Sequence, residues 1–316
     1  MTFSQSVKSE ILKYVRNVKG CCKTAFLTAV LKSIGSLSIE FKKFSFEIES
    51  DNHEFLSVCS DFAASEYGCN GKIESCNVNA KGAAVYSCNF DGNIGEKLGL
   101  TERDKDGLIQ FCQDTAKLIP ASNCCKRSFL QGLFVACGSV AIPVADTDIG
   151  ENTTRSKYHL ELRFADSDFA EQILSAYSDI SFRSTIRKAY KILYLKDSER
   201  IADFLVYINA MKGKLKLENV IIGRSMRNNA NRQSNCISAN IEKAVVAAEK
   251  QLAAISALKN SGVYDSLPVQ LKEIAELRNE YPEATLDEIA AKLKISKSGA
   301  NHRFTKIIDI ANSKGL

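Results

Sequence analysis

No uninterrupted apolar run in this chain reaches the roughly 20 residues that a membrane-spanning helix needs. The opening stretch, MTFSQSVKSEILKYVRNV, also lacks the continuous apolar core of a secretory signal. Its polar and apolar residues alternate at helical spacing instead. These absences read as an intracellular, soluble, cytoplasmic protein with no membrane partner. There is no Cys-x-x-Cys pair, and His53, His159 and His302 are far apart, so the ligand spacing of a structural zinc site is missing. No metal and no cofactor is expected. The eleven cysteines are an odd count, which fits reduced thiols better than a disulfide framework. The vicinal pairs Cys21–Cys22 and Cys124–Cys125 admit redox sensing or metal binding. The preferred reading is plainer: small buried residues at the mouth of a helix.

What the chain does have is an ordinary folded composition, with 45% hydrophobic and 25% charged residues over 316 positions. Its net charge of +5 is unevenly spread. Between Ser181 and Asn235 there are twelve Lys and Arg against four acids, so the remainder of the chain is slightly acidic. A local excess of this kind suits a polyanion surface, although solvated helix faces also carry it.

The main internal signal is a repeat. CCKTAFLTAVLKSIGSL (21–37) and CCKRSFLQGLFVACGSV (124–140) share Cys, Cys, Lys, Phe, Leu, Gly and Ser at matching places. Apolar residues every three to four positions predict a helix in both. Each helix has small residues four apart on one face, Ala29 with Ser33 and Gly132 with Ala136, which lets two helix backbones approach closely. Gly35 and Gly138 are expected to end the helices, as glycine commonly does just past a C-terminus. FSFEIESDNHEFL (44–56) and YHLELRFADSDFA (158–170) follow, each passing from strand alternation through an acidic turn into a helix. Strand-like runs at 76–90 and 183–195 complete each half. The expected fold class is α+β: a duplicated α/β domain over 1–219, with repeats of about 1–110 and 111–219, a helical connector rich in Arg and Asn over 220–262, and an all-α domain over 263–316.

That last segment reads as a helix-turn-helix. Leu271, Ile274 and Leu277 form one apolar stripe, and Pro282 breaks it. Thr285 and Glu288 make a capping box at a new helix, and Ser296 can cap a third. From Ile289 to Ile308 there is no acidic residue. Ser296, Lys297, Ser298, Asn301, His302, Arg303 and Lys306 are the candidate DNA-binding residues, because Lys and Arg suit phosphate or guanine and Asn can pair with adenine. A basic, solvent-exposed helix of an interaction module is the alternative. Lys294 stands where such turns often carry glycine, so a non-glycine residue with positive φ is expected there. Arg224, Arg227 and Arg232, interleaved with Asn228, Asn231 and Asn235, form a second candidate DNA-binding face. A structural hydrogen-bond network explains them equally well.

The doubled helix resembles the LAGLIDADG motif of homing endonucleases, laid over LTAVLKSIG (27–35) and LQGLFVACG (130–138). In that family an acidic residue before each final glycine holds the divalent metals that cut DNA. Ile34 and Cys137 occupy those positions here, and neither offers the oxygen ligand that Mg²⁺ demands. With RNNANRQSNCISAN (227–240), YHLEL (158–162) and the LPVQLKEIAELR…SKSGANHR segment (267–303), the chain as a whole is similar to the WhiA family. The resemblance implies a bacterial, nucleoid-associated, non-enzymatic regulator that binds double-stranded DNA in a sequence-specific way. It further implies transcriptional control in sporulation, or a role in cell division and chromosome segregation. Two other hypotheses stand beside it. One is a nuclease rebuilt around Asp146 or Asp148. The other is an interaction module for a transcription or cell-division protein, with DNA binding secondary. The internal duplication makes a monomer plausible.

Overall fold

The computed structural model describes residues 1–40, 43–78, 82–91, 93–105, 108–143 and 157–315, so Asp146 and Asp148 lie outside the described residues. The chain divides into two units, Met1–Arg224 and Ser225–Leu316.

In the first unit, α1 (Phe3–Val15) starts at a capping box between Thr2 and Gln5. The first copy of the repeat then runs α2 (Gly20–Ile34), β1 (Ser36–Glu40), β2 (Lys43–Ser50), α3 (His53–Tyr67), β3 (Lys72–Val78), β4 (Ala84–Asp91) and α4 (Asn93–Lys97). After the small hairpin β5 (Thr101–Arg103) and β6 (Ile109–Phe111), the second copy runs in the same sequence. It comprises α5 (Asn123–Cys137), β7 (Gly138–Ala141), β8 (His159–Phe164), α6 (Ser167–Ala176), β9 (Arg183–Arg187), β10 (Tyr190–Leu195) and α7 (Ser198–Tyr207). The two sheets have one topology, β1-β2-β4-β3 and β7-β8-β10-β9, with every pairing antiparallel.

The acidic turn seen twice in the sequence is a helix cap in both copies. Asn52 accepts a hydrogen bond from the Phe55 amide, and Asp166 from the Phe169 amide. Each cap starts a helix whose apolar face, Phe55, Leu56 and Val58 in α3 and Phe169, Ala170 and Ile173 in α6, closes over one sheet.

Helices α2 and α5 form the centre of this unit. Phe26, Leu27, Ala29, Val30 and Leu31 are buried on the first, and Phe129, Leu130, Leu133 and Phe134 on the second. Burying one such side chain contributes about 1.5–3 kcal/mol. The small-residue faces meet: a β-carbon added to Gly132 would fall 2.5 Å from the Phe26 carbonyl oxygen and 3.1 Å from the Ala29 β-carbon.

Gly35 and Gly138 do end the two helices, but not through a left-handed cap. Their φ angles are −72° and −91°, in the extended region open to any residue. Glycine is required there sterically, since a β-carbon would fall 2.4 Å from the Leu31 carbonyl oxygen or 2.6 Å from that of Phe134.

Helix α8 (Met211–Asn260) contains the Arg- and Asn-rich stretch. Glu10 on α1 caps its start, accepting from the amides of Lys212 (2.7 Å) and Gly213 (3.0 Å). The end of α8 belongs to the second unit, where Ile255 and Leu258 share a core with Leu271, Ile274, Ile289, Phe304 and Ile307. That core joins α9 (Val269–Glu280), α10 (Leu286–Lys292) and α11 (Lys297–Ser313). At its edge the Arg278 side chain is 2% exposed. It donates from Nε to Gln251 (3.0 Å) and from an Nη to the carbonyls of Pro282 (3.2 Å) and Ala284 (2.5 Å), and lies against the Phe304 ring. Burial lowers its pKa below the ordinary arginine value.

Candidate functional site

The helix-turn-helix forms from local signals. Thr285 and Glu288 make the reciprocal capping box that starts α10, and the capping bonds and the neighbouring Thr285 hydroxyl hold the Glu288 carboxyl below its usual range. Lys294 adopts φ +53°, the positive-φ non-glycine residue expected in the turn. The turn closes through the Lys294 amide on the Ala291 carbonyl (3.1 Å) and the Ile295 amide on the Ala290 carbonyl (3.0 Å). Ser296 then caps α11, its hydroxyl accepting from the Gly299 amide at 3.1 Å. Ala300, Phe304, Ile307 and Ala311 turn inward.

The opposite face of α11 presents Ser296, Lys297, Ser298, Asn301, His302 and Lys306, all exposed. The first turn contains no acidic residue. Lys297 bonds Asp287 at 2.6 Å, but both side chains are well exposed and such a pair is easily exchanged for phosphate. Arg303 departs from its expected position. Its guanidinium turns back to α9, lying 3.4 Å from the Gln270 carbonyl and 4.0 Å from Glu273, with its side chain only 20% exposed. Position 303 falls between the exposed and buried arcs of the helix, and the nearby α9 carboxylate draws it inward.

Of the second candidate set, Arg227 and Arg232 are exposed on α8. Arg224 is half-buried and lies over the Tyr158 ring at 5.6 Å.

The two sheets differ in charge. In sequence, β1–β4 carry five carboxylates and two lysines, whereas β7–β10 carry one carboxylate against Arg163, Arg183, Arg187 and Lys191. The three arginines are exposed, and Arg163 stacks on Tyr190 at 4.6 Å.

Ile34 and Cys137 sit at the C-terminal ends of α2 and α5. Ile34 packs against the core, and the Cys137 thiol donates to the Leu133 carbonyl at 3.2 Å. Burial pushes the Cys137 thiol up to about 11. Burial also lowers the Lys8 ammonium from its ordinary value, against the opposing pull of Cys137 and Asp51. This end of the helix pair therefore presents an alkyl group and a neutral thiol, with Lys8 of α1 in electrostatic reach of Cys137.

At the N-terminal ends of the same helices the structure departs from the plain reading of the cysteine pairs. Cys22 and Cys125 are buried, but Cys21 and Cys124 are exposed, and all four Sγ atoms lie within 4.8 Å of one another. All are free thiols. Hydrogen bonds from Ser122, Cys125 and Cys22 bring the Cys124 thiol down to about 7, while burial pushes Cys22 up to about 12.

Two family models match the chain. The WhiA LAGLIDADG-like domain matches residues 23–86 and 126–227, and the WhiA C-terminal HTH domain matches residues 230–311. The chain belongs to the WhiA family. Relatives described as "Probable cell division protein WhiA" include one from Caldicellulosiruptor saccharolyticus, 32% identical over 98% of this chain and 95% of its own length. Another, from Bacillus cytotoxicus, is 33% identical over 98% of this chain and 96% of its own length. The crystal structure of full-length WhiA from Thermatoga maritima shares the fold, with a TM-score of 0.56 over 99% of both chains at 20% identity. The duplicated LAGLIDADG-like α/β domain followed by a helical helix-turn-helix domain is thus the architecture of the WhiA family, as the sequence led us to expect.

Proposed function

We propose that this chain is a non-enzymatic, sequence-specific DNA-binding regulator acting in bacterial cell division and chromosome segregation, or in sporulation where a lineage sporulates. The observation that carries this reading is the exposed polar face of α11, with Lys297, Ser298, Asn301 and His302 in the first two turns of a well-capped helix and Lys306 in the turn after them. A recognition helix meets base edges in the major groove with such residues. Asn301 is the candidate for adenine, and Lys297 and Lys306 for phosphate. Arg227 and Arg232 would add phosphate contacts from α8, and Arg163, Arg183 and Arg187 from the second sheet.

The non-enzymatic part rests on Ile34 and Cys137, which supply no oxygen ligand where metal-dependent strand cleavage needs one. The names of the relatives support a role in division. The functional division we propose is a duplicated domain over 1–219, a connector over 220–262 and a DNA-reading domain over 263–316, in a protein that works at the nucleoid.

A second reading has its own observation. The acidic sheet of the first copy is unsuited to phosphate and would suit a protein partner, such as a transcription or division protein.

The test is to mix the protein with fragmented genomic DNA, Mg²⁺ and about 0.15 M salt, and to sequence both the retained fragments and any new ends. Enrichment of one short sequence without new ends is expected. Uniform retention, or none, would favour the partner-binding reading, and sequence-specific new ends would overturn the non-enzymatic one.

A further inference from the structure

The four cysteines at the start of the paired helices are not among the residues proposed to meet DNA. Cys21 and Cys22 occupy the first turn of α2, and Cys124 and Cys125 the first turn of α5. The contacts cross between the copies: the Cys125 thiol lies 3.5 Å from the Cys21 carbonyl, and within the second pair the two Sγ atoms are 3.9 Å apart. A tetrahedral zinc with Zn–S bonds of about 2.3 Å requires sulfur–sulfur edges of about 3.8 Å. With all four Sγ atoms inside 4.8 Å, small side-chain rotations close the difference.

The helix ends favour thiolate at the exposed sulfurs, whereas burial holds Cys22 and Cys125 as neutral thiols until a cation displaces their protons. Neither helix has a side-chain hydrogen bond at its N-cap, and neither has an acidic residue in its first turn. The positive ends of two helix dipoles therefore point toward the sulfurs without a competing carboxylate from either first turn. Ser122, the N-cap of α5, has its hydroxyl 3.7 Å from the Cys124 sulfur. A cavity of about 480 Å³, lined in part by Cys21, Cys125, Thr24 and Lys117, gives an ion a path from solvent.

We propose that Cys21, Cys22, Cys124 and Cys125 form a tetrathiolate site for a soft divalent cation of the zinc class, which clamps the two copies of the repeat together at the N-terminal ends of α2 and α5. All four coordination positions are filled by protein, as in a structural rather than a catalytic site. Helices of 15 residues are about 22 Å long, so this site stands at the opposite end of the helix pair from Ile34 and Cys137. Binding displaces thiol protons to solvent and consumes no oxidant.

The test uses the full-length, reduced protein under anaerobic conditions. Titration with Co²⁺ is expected to give sulfur-to-cobalt charge-transfer and tetrahedral d–d bands that saturate at about one ion per chain and disappear on adding zinc. The Cys21→Ser/Cys124→Ser variant changes only the exposed pair, so it should fold, and it is expected to lose these bands. Cys112→Ser, at the same cavity but outside the cluster, should keep them. In the unaltered protein, zinc should slow alkylation of these four cysteines at least tenfold, read peptide by peptide by mass spectrometry, and spare Cys76 and Cys236. Absence of the bands, their persistence in the double serine variant, their loss in Cys112→Ser, or equal alkylation with and without zinc would each overturn the proposal.

Discussion

Gly132 of α5 lies directly on the backbone of Phe26 in α2, so close that a β-carbon would stand 2.5 Å from the Phe26 carbonyl oxygen. The two helices meet through backbone rather than through interlocked side chains at this point. Neither backbone can retreat without unpacking Phe26, Phe129 and Phe134 behind it. Gly132→Ala should therefore destabilise the first unit by about 2–3 kcal/mol despite the better helix propensity of alanine. Urea unfolding measures this, and a change within about 0.5 kcal/mol of the parent would mean the interface relaxes freely.

Lys32 and Asp166 make a second link between the copies, with Nζ and Oδ2 2.9 Å apart. Burial raises the Asp166 carboxyl, but the Phe169 amide and the Lys32 ammonium outweigh it, and the net effect is a pKa below the ordinary value. A depressed folded-state pKa gives stability that is fully present above the unfolded value of about 3.9 and is lost as pH falls through the folded value. Asp166→Asn should flatten this acid limb by less than about 1 kcal/mol, since the carboxylate is partly exposed. Urea midpoints between pH 2 and 6 would show it, and an unchanged acid limb would remove Asp166 from the account.

Arg278 is buried with neutral acceptors as its hydrogen-bond partners among the described residues. Arg278→Ala removes these bonds and leaves the Phe304 face open, costing the second unit about 3 kcal/mol. Arg278→Met restores the volume but not the donors, and should recover part of that loss. If the two variants were equally stable, packing would contribute nothing.

At Lys294 the backbone is left-handed, which costs an L-residue about 1–2 kcal/mol. Lys294→Gly removes that cost but adds flexibility to the unfolded chain, so a gain of about 0.5–1 kcal/mol is expected. A lower melting temperature would show that the lysine side chain contributes more than the turn conformation costs.

On DNA, the exposed residues of α11 should separate by role. Asn301→Ala should cost about 1–3 kcal/mol at a preferred site and relax base choice at one position, while Lys306→Ala should lower the salt slope by about one. Arg303→Ala should act mainly through the seating of α11 on α9 and leave sequence preference intact. Binding to a library of site variants would tell these apart, and a changed consensus with Arg303→Ala would bring that side chain into the groove.

Much of this was legible because it is local. The capping box at Thr285, the Ser296 cap and the positive φ of Lys294 are decided within a few residues, and the repeat repeats its own hydrophobic period. What could not be read depends on which side chains meet across long separations. Arg303 is drawn aside by Glu273 and Gln270, about thirty positions earlier. The cysteine pairs look unlike a metal motif because their ligands come together only when two helices a hundred residues apart pack with their starts aligned. Gly35 and Gly138 were visible as helix ends, but their steric reason was not.

The opposite charges of the two sheets have a consequence for how such a protein can vary. An assembly of two identical single-repeat chains must repeat every substitution on both halves, so an arginine gained for one purpose appears twice. With both copies in one chain, each half is addressed separately. The first sheet is acidic and the second basic on the same strand order. Covalent duplication here converts a shape that symmetry would hold uniform into one with two independent faces.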